Sequence, residues 1–415
     1  MDYQYHIFAP YRVCPLGAHV DHQHGLVTGF AIDKGVDLWF DVNGEPSQRS
    51  KDEGQNAVGG QRSKVEGISH VHLESKTFEG VVDFDIATPT LVKQGNWGDY
   101  ARGAKFALQK RFKLTRGITG VVQGSLPVGG LSSSAAVLIA YVMAFAKAND
   151  ITLAPFEVMK IASEAEREYI GLNNGLLDQA CIALGKKNHL LMLDCESDEY
   201  RLIPFGSQGS EVKGQRSEEG LPFEFAIFFS GLTRSLMSSD YNLRVAECKT
   251  ATWLVQAYEN IPLKEQNKTF LRDVSESMFK RHRDNMPPRF ARRAEHFFSE
   301  HKRVREGITA WETGNLEWFG SLVKASCESS IHNYECGSPE LIAIYEAMLT
   351  TDGIYGGRFS GAGFKGACIA LVDPTKKEQI EKEITEKYLA KFPQYKNTFK
   401  VYFCKSDDGA RFVEV

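Results

Sequence analysis

The chain of 415 residues has room for two domains of ordinary size, and its 42% hydrophobic and 25% charged residues match soluble globular proteins. Forty-nine basic residues against fifty-three acidic ones give a net charge of -4, which argues against nucleic acid as the main partner. No apolar run reaches the roughly 18 residues of a membrane span, and residues 1–10 lack the pattern of a secretory signal. The eight cysteines are scattered with no CxxC pair, as expected for reduced, buried thiols of a cytoplasmic protein.

In chain order, short strands are predicted at 5–8, 27–32 and 36–40, followed by a polar, Gly/Ser/Lys-rich insertion at 43–67. A helix at 97–112 and a strand at 120–124 lead into helices at 133–149 and 155–169. A strand at 189–193 precedes a second polar stretch, 206–220, which marks the neighbourhood of a boundary between domains 1–205 and 206–415. Beyond it come a strand at 224–229 and helices at 240–258, 289–313, 316–330, 339–349 and 376–387, with strands at 367–372 and 398–404. This irregular alternation favours α+β over a doubly wound sheet.

Four segments carry candidate chemistry. In 9–25, Arg12, His19, Asp21, His22 and His24 crowd a Gly/Pro-containing loop between two strands. The three histidines complete no regular zinc spacing, so a polar substrate loop is favoured over a metal site. Arg12 suits an anion there, while His19 and Asp21 suit sugar hydroxyls. In 120–136 a strand runs into a glycine-rich turn, Gly129-Gly130, and the triplet Ser132-Ser133-Ser134 opens an Ala-rich helix. Such a turn can bring backbone N–H groups and a helix dipole to an anion, or can be an ordinary N-cap. It has neither the GK[ST] of a Walker loop nor dinucleotide spacing. In 165–179, Glu166 lies in a helical run and Asp178 follows an Asn-Asn-Gly break among Leu176, Leu177, Ala180 and Cys181. Asp178 is a helix cap or a carboxylate held for a task, and the segment alone favours the cap. In 358–366, Gly361, Gly363 and Gly366 precede a strand and imply a tight backbone, at a ligand or simply in a turn.

Taken in this order, these segments resemble the three motifs of the GHMP small-molecule kinases, and within them the galactokinase-like sugar kinases, over nearly the whole chain. Residues 97–100, 240–244, 293–296, 334–335 and 339–341 resemble further stretches of that branch. The resemblance implies a two-lobed α+β fold, an N-terminal lobe like domain 2 of ribosomal protein S5 and a ferredoxin-like C-terminal lobe, with the site between them. It implies transfer of the ATP γ-phosphoryl group to the anomeric hydroxyl of a hexose. By the same resemblance Asp178 takes the proton from O1, with Arg12 beside it. Glu166 and Ser134 are the implied Mg2+ ligands. The segment Gly129, Gly130, Leu131, Ser132, Ser133, Ser134 and Ala135 would cradle the nucleotide, braced by Gly361, Ala362 and Gly363. Ala18, His19, Asp21, Gly175 and Tyr241 match sugar-contacting positions.

Two departures stand out. Only three residues separate Pro127 from Leu131, one fewer than in the family pattern. Galactokinases carry Glu-His-x-Asp in the first motif, with the glutamate near the sugar C6 hydroxyl, where this chain has Ala18-His19-Val20-Asp21. A carboxylate at C6 would be repelled by that glutamate by roughly 4 kcal/mol at ~4 Å and an effective dielectric of ~20. Together with the 14–19 loop and Lys365, which resemble the galacturonate-directed kinases of this branch, Ala18 points to D-galacturonate phosphorylated at C1. The alternatives are a galactokinase that tolerates Ala18, a glucuronate kinase, and a silent sugar sensor on the same fold. Asp178, Arg12 and Glu166 weigh against the sensor, and Asp21 and Tyr241 against glucuronate. No partner for the substrate carboxylate is evident from the sequence; Lys365 and Arg234 are the basic side chains that could be offered, and solvated surface charge is the favoured explanation of both.

Overall fold

The computed structural model describes residues 3–45, 67–127, 129–172, 174–208, 221–232 and 238–415. Most of the predicted insertion at 43–67, most of the 206–220 stretch, and Arg234 lie outside the described residues. Twelve strands are described: β1 Tyr5–Val13, β2 Leu26–Val42, β3 His70–Ser75, β4 Val82–Asp85, β5 Ile118–Gly124, β6 His189–Asp194, β7 Tyr200–Pro204, β8 Glu224–Phe229, β9 Ile354–Phe359, β10 Ala367–Val372, β11 Lys400–Cys404 and β12 Arg411–Val413. Ten α-helices join them: α1 Asp99–Gln109, α2 Ser133–Ala148, α3 Pro155–Glu164, α4 Leu177–Leu184, α5 Ser238–Tyr258, α6 Glu276–His282, α7 Pro288–Glu312, α8 Leu316–Ser329, α9 Pro339–Leu349 and α10 Lys377–Lys391.

The strands form two sheets. The first runs β12-β1-β2-β5-β3-β4, with β6 paired to the start of β2 and β7 to β6. All its pairings are antiparallel except β3 with β5. Its spine is β2, one 17-residue strand that unites the two strands predicted at 27–32 and 36–40. Between them Gly35 lies against β1, where a Cβ would stand 2.3 Å from the Ala9 carbonyl oxygen. The Ala-rich α2 packs on β1 and β2 and against α1, α3 and α4, its small side chains letting several helices and a sheet share one core.

The second sheet, β11-β8-β10-β9, is antiparallel throughout, and α8 and α9 pack on β9. Strand β9 reads Ile-Tyr-Gly-Gly-Arg-Phe, and its glycines hide it from strand propensity. They permit close approach: a Cβ on Gly356 would stand 2.3 Å from the Gly320 oxygen of α8. The chain returns to the first sheet at its end, where β12 pairs with β1. Trp311 near the end of α7 is fully buried and donates to the Ile203 carbonyl of β7 at 2.8 Å, tying the two halves together. All eight cysteines are buried and unpaired, and among the described residues no helix is long and apolar enough to cross a membrane.

Candidate active site

Arg12 sits near the end of β1, where the pairing with β2 shifts register between Pro10 and Arg12, the kind of irregularity that re-aims a side chain. Its Nε donates to Asp178 Oδ1 at 2.7 Å, and its Nη1 donates to the Gly130 carbonyl at 3.1 Å and to Ser360 Oγ at 3.3 Å. One guanidinium thus links the first, second and third motifs to the α4 carboxylate. Asp178 lies in the first turn of α4, whose N-cap residue is Leu176 and has no side-chain cap bond, so the cap reading of Asp178 fails. Burial works against the arginine charge, and the Asp178 carboxylate more than restores it.

The glycine turn is held in conformations that favour glycine, with φ of +142° at Gly129 and +80° at Gly130. Ser132, at φ +59°, is the N-cap residue of α2 yet makes no cap bond with its side chain. The ordinary N-cap reading therefore fails too, and the helix start keeps the donors and dipole that favour an anion. Leu131 and Ala135 are buried behind the loop, while Ser133 and Ser134 border the cavity in front of it. From the third motif Gly361 and Gly366 brace the loop: Cβ atoms there would lie 3.1 Å from Gly130 Cα and 3.0 Å from the Gly129 carbonyl carbon. Gly363 does not share this contact; it faces Cys336, whose Sγ would be 2.8 Å from an added Cβ, and Ala362 borders the cavity.

The predicted helix at 155–169 divides into α3 and a π-turn, Ala165–Ile170, which carries Glu166. Such turns recur at functional sites because they swing one side chain out of the helical repeat. Glu166 is buried, and burial pushes its carboxyl up against the donors that steady it. Those donors are Ser134 Oγ at 2.9 Å on Oε1, and Asn174 Nδ2 at 2.7 Å together with Gln179 Nε2 on Oε2. Among the described residues, Asn174 Oδ1 is buried without a hydrogen-bond partner. A hydroxyl, a carboxylate and an orphaned amide oxygen near the glycine turn form a hard-oxygen set whose chemistry fits a small divalent cation.

Ala18, His19, Asp21 and Tyr241 border the same cavity as Arg12, Asp178, Glu166 and the glycine loops, a space of about 530 Å³. His19 adopts φ +61° and stacks on Tyr334 with ring centroids 4.3 Å apart. Burial, reinforced by His296, holds its pKa well below the ordinary value, so it is a neutral hydrogen-bonding group. Burial and the neighbouring Asp178 charge raise Asp21 to about 6. Gly175 does not border this cavity but permits the fold of its wall: a Cβ there would stand 2.5 Å from that of Asp21. The three histidines of the first loop do not converge on an ion, since His22 meets Tyr334 Oη at 3.2 Å and His24 stacks on Phe270. Among the described residues the histidine–carboxylate group close enough to hold a metal is His70, His72 and Asp83, on β3 and β4 outside the cavity.

The structure adds Tyr100, Asn174, Asn242 and Arg358 to the lining of this cavity. Asn174 was visible only as part of an Asn-Asn-Gly break, and Arg358 only as the residue opening the third glycine segment. His296, whose Nε2 meets the Ala18 carbonyl oxygen at 3.0 Å, and Tyr334 belong to stretches legible by resemblance alone.

A carboxylate held by an arginine, a glycine turn at an uncapped helix start and a hard-oxygen pair define a site for phosphoryl transfer. Residues 99–186 match the GHMP kinases N terminal domain and residues 305–390 the GHMP kinases C terminal domain. The chain is 38% identical to a galacturonokinase of Arabidopsis thaliana, over 98% of this chain and 92% of that one. It is 29% identical to a galactokinase of Thermococcus kodakarensis, covering 95% and 97%. The fold matches Lactococcus lactis galactokinase complexed with galactose at a TM-score of 0.82 and 24% identity, covering 98% and 94%. The chain belongs to the GHMP kinase family, and it is a kinase with ATP as phosphoryl donor.

Proposed function

We propose that the protein phosphorylates D-galacturonate at C1, forming galacturonate 1-phosphate and ADP. The observation that carries this is Ala18, which borders the cavity beside His19 and Asp21 where galactokinases carry glutamate. The Arabidopsis thaliana relative named galacturonokinase supports the same substrate. In this reading Asp21, His19 and Tyr241 receive the sugar hydroxyls, and the wall beside Ala18 receives C6.

Arg12 engages Asp178 Oδ1, so Oδ2 is the oxygen offered to the sugar. As the O1–H proton passes to Asp178, O1 forms its bond to the γ-phosphorus and the bond to the β,γ-bridging oxygen breaks, releasing ADP. The same guanidinium, bonded to the Gly130 carbonyl, stands where charge develops on the moving group. The α2 start and the glycine turn hold the phosphates, and the Gly361 and Gly366 contacts keep that turn in register. Ser134 and Glu166 would hold Mg2+, whose charge neutralises the phosphate oxygens when bound. Residues 1–205 would supply the sugar loop, the phosphate loop and Asp178, and residues 206–415 the bracing loop and Tyr241. Its ATP chemistry and reduced cysteines fit a cytoplasmic enzyme.

The test is product identification. Purified protein with ATP, Mg2+ and galacturonate should yield a phosphorus NMR signal of an anomeric phosphate monoester coupled to H1, with the mass of galacturonate 1-phosphate. Product only with galactose would move the assignment to galactokinase. Sugar binding without product would favour a sensor.

A further inference from the structure

We propose that Arg358 binds the C6 carboxylate of the substrate, taking from the sugar the negative charge that a glutamate at position 18 would otherwise supply; this rests on the galacturonate reading above. Arg358 comes from β9, is 1% exposed, and borders the cavity together with Cys14, Ala18 and His19. Its Nε donates to the Phe359 carbonyl at 3.2 Å, its Nη1 to Ser326 Oγ and its Nη2 to Ser330 Oγ at 3.1 Å. These partners are all neutral. A guanidinium has five N–H donors, so each terminal nitrogen keeps one more to offer a carboxylate.

The nearest acid, Glu300, pairs with Arg358 but is shared with a second arginine. Glu300 is fully buried, and its Oε1 accepts from Gly17 N at 2.7 Å and Ser326 Oγ at 2.5 Å, while its Oε2 accepts from Arg303 Nε at 2.7 Å. Arg358 Nη1 stands 3.7 Å from Oε1, an ion pair without a direct hydrogen bond. One carboxylate therefore faces two arginines. The neighbouring rings supply no negative charge, and burial keeps them neutral, with His19 well below its ordinary pKa and His296 at about 4. A buried cation short of a counter-ion is costly unless a ligand completes the pair. The shared oxygen also fixes the location, because Gly17 N and Arg358 both approach Glu300 Oε1 and Arg358 therefore lies near the Leu16–Gly17 peptide, one residue before Ala18. Lys365 borders the same cavity, with its neighbour Gly366 packed on Gly129 and Gly130, and is the rival group in the experiment.

The experiment compares kcat/KM of the wild-type enzyme for galacturonate, its uncharged C6 amide and galactose, then repeats it in Arg358→Lys, Arg358→Gln and Lys365→Ala. The acid should exceed the amide at least 30-fold in the wild type, mostly through KM. In the Arg358 variants that ratio should fall below about 3, while KM for ATP changes less than threefold. Lys365→Ala should keep the wild-type ratio. A wild-type enzyme that uses amide and acid equally overturns the proposal without any variant, so a variant that fails to fold does not shield it. Equal losses for acid and amide in the Arg358 variants assign Arg358 a merely structural role, and a ratio lost in Lys365→Ala moves the carboxylate to that lysine; either overturns the proposal. Turnover of galactose without galacturonate removes the underlying reading and the proposal together, an outcome distinguishable from those above.

Discussion

Replacing Asp178 by Asn separates chemistry from architecture. The substitution keeps an amide oxygen for Arg12 Nε, now 2.7 Å from Oδ1, but removes the charge and the proton acceptor. A positioned general base contributes roughly 10²–10⁴ to rate, or about 3–5 kcal/mol of barrier, and kcat should fall by that factor. Deleting one partner of a buried ion pair costs about 3–5 kcal/mol. Here the side chains are 5% and 22% exposed and the Arg12 hydrogen bond survives, so a stability loss of about 1–3 kcal/mol is expected. ADP release measured at saturating sugar and ATP, with sugar affinity from calorimetry and a thermal melt, reports all three quantities. A kcat within tenfold of wild type in a protein that binds sugar normally would show that Asp178 is not the base.

Ala18→Glu returns a carboxylate to the C6 wall. Repulsion of roughly 4 kcal/mol between like charges at ~4 Å, less any relaxation, should shift the galacturonate-to-galactose ratio of kcat/KM at least 100-fold toward galactose. An unchanged ratio would refute the role given to this position. Asp21 carries a pH signature. Its carboxyl is raised from 3.8 to about 6, chiefly by burial, so the folded state binds the proton more tightly than the unfolded one. This contribution therefore favours folding below about 4, is lost as pH rises through about 6, and leaves the ionised group costing up to about 3 kcal/mol at pH 8. Asp21→Asn should raise Tm at pH 8 much more than at pH 4 while weakening sugar binding, and an equal change at both pH values would contradict this origin. In the wild type, KM for the sugar should rise as pH falls below about 6.

The motifs were legible because glycine and serine have few structural uses at such density, and the two segments around Gly130 and Gly361 do meet. What they do individually was not. Asp178 and Ser132 both read locally as caps, and only the long-range partners, Arg12 across 166 positions for Asp178, reveal otherwise. The π-turn that carries Glu166 has the hydrophobic period of the helix it interrupts. Strand β3, His-Val-His-Leu-Glu-Ser, is too short and polar to stand out, and β9 is masked by Gly356 and Gly357, which serve contact with α8. Helix α4 is only eight residues long, below the length at which periodicity is decisive. Arg358 was a letter in a glycine-rich segment; its meaning depends on Glu300 and on Gly17, which lies 283 positions from that glutamate.

The most direct measurement is the ratio of kcat/KM for D-galacturonate over D-galactose, taken with ATP and Mg2+ in a coupled ADP-release assay. An open C6 wall at Ala18 with an under-neutralised Arg358 beside it predicts a ratio well above 10. A ratio below 1 would leave the phosphoryl-transfer chemistry of Asp178 and Arg12 standing and contradict the assignment of the sugar acid.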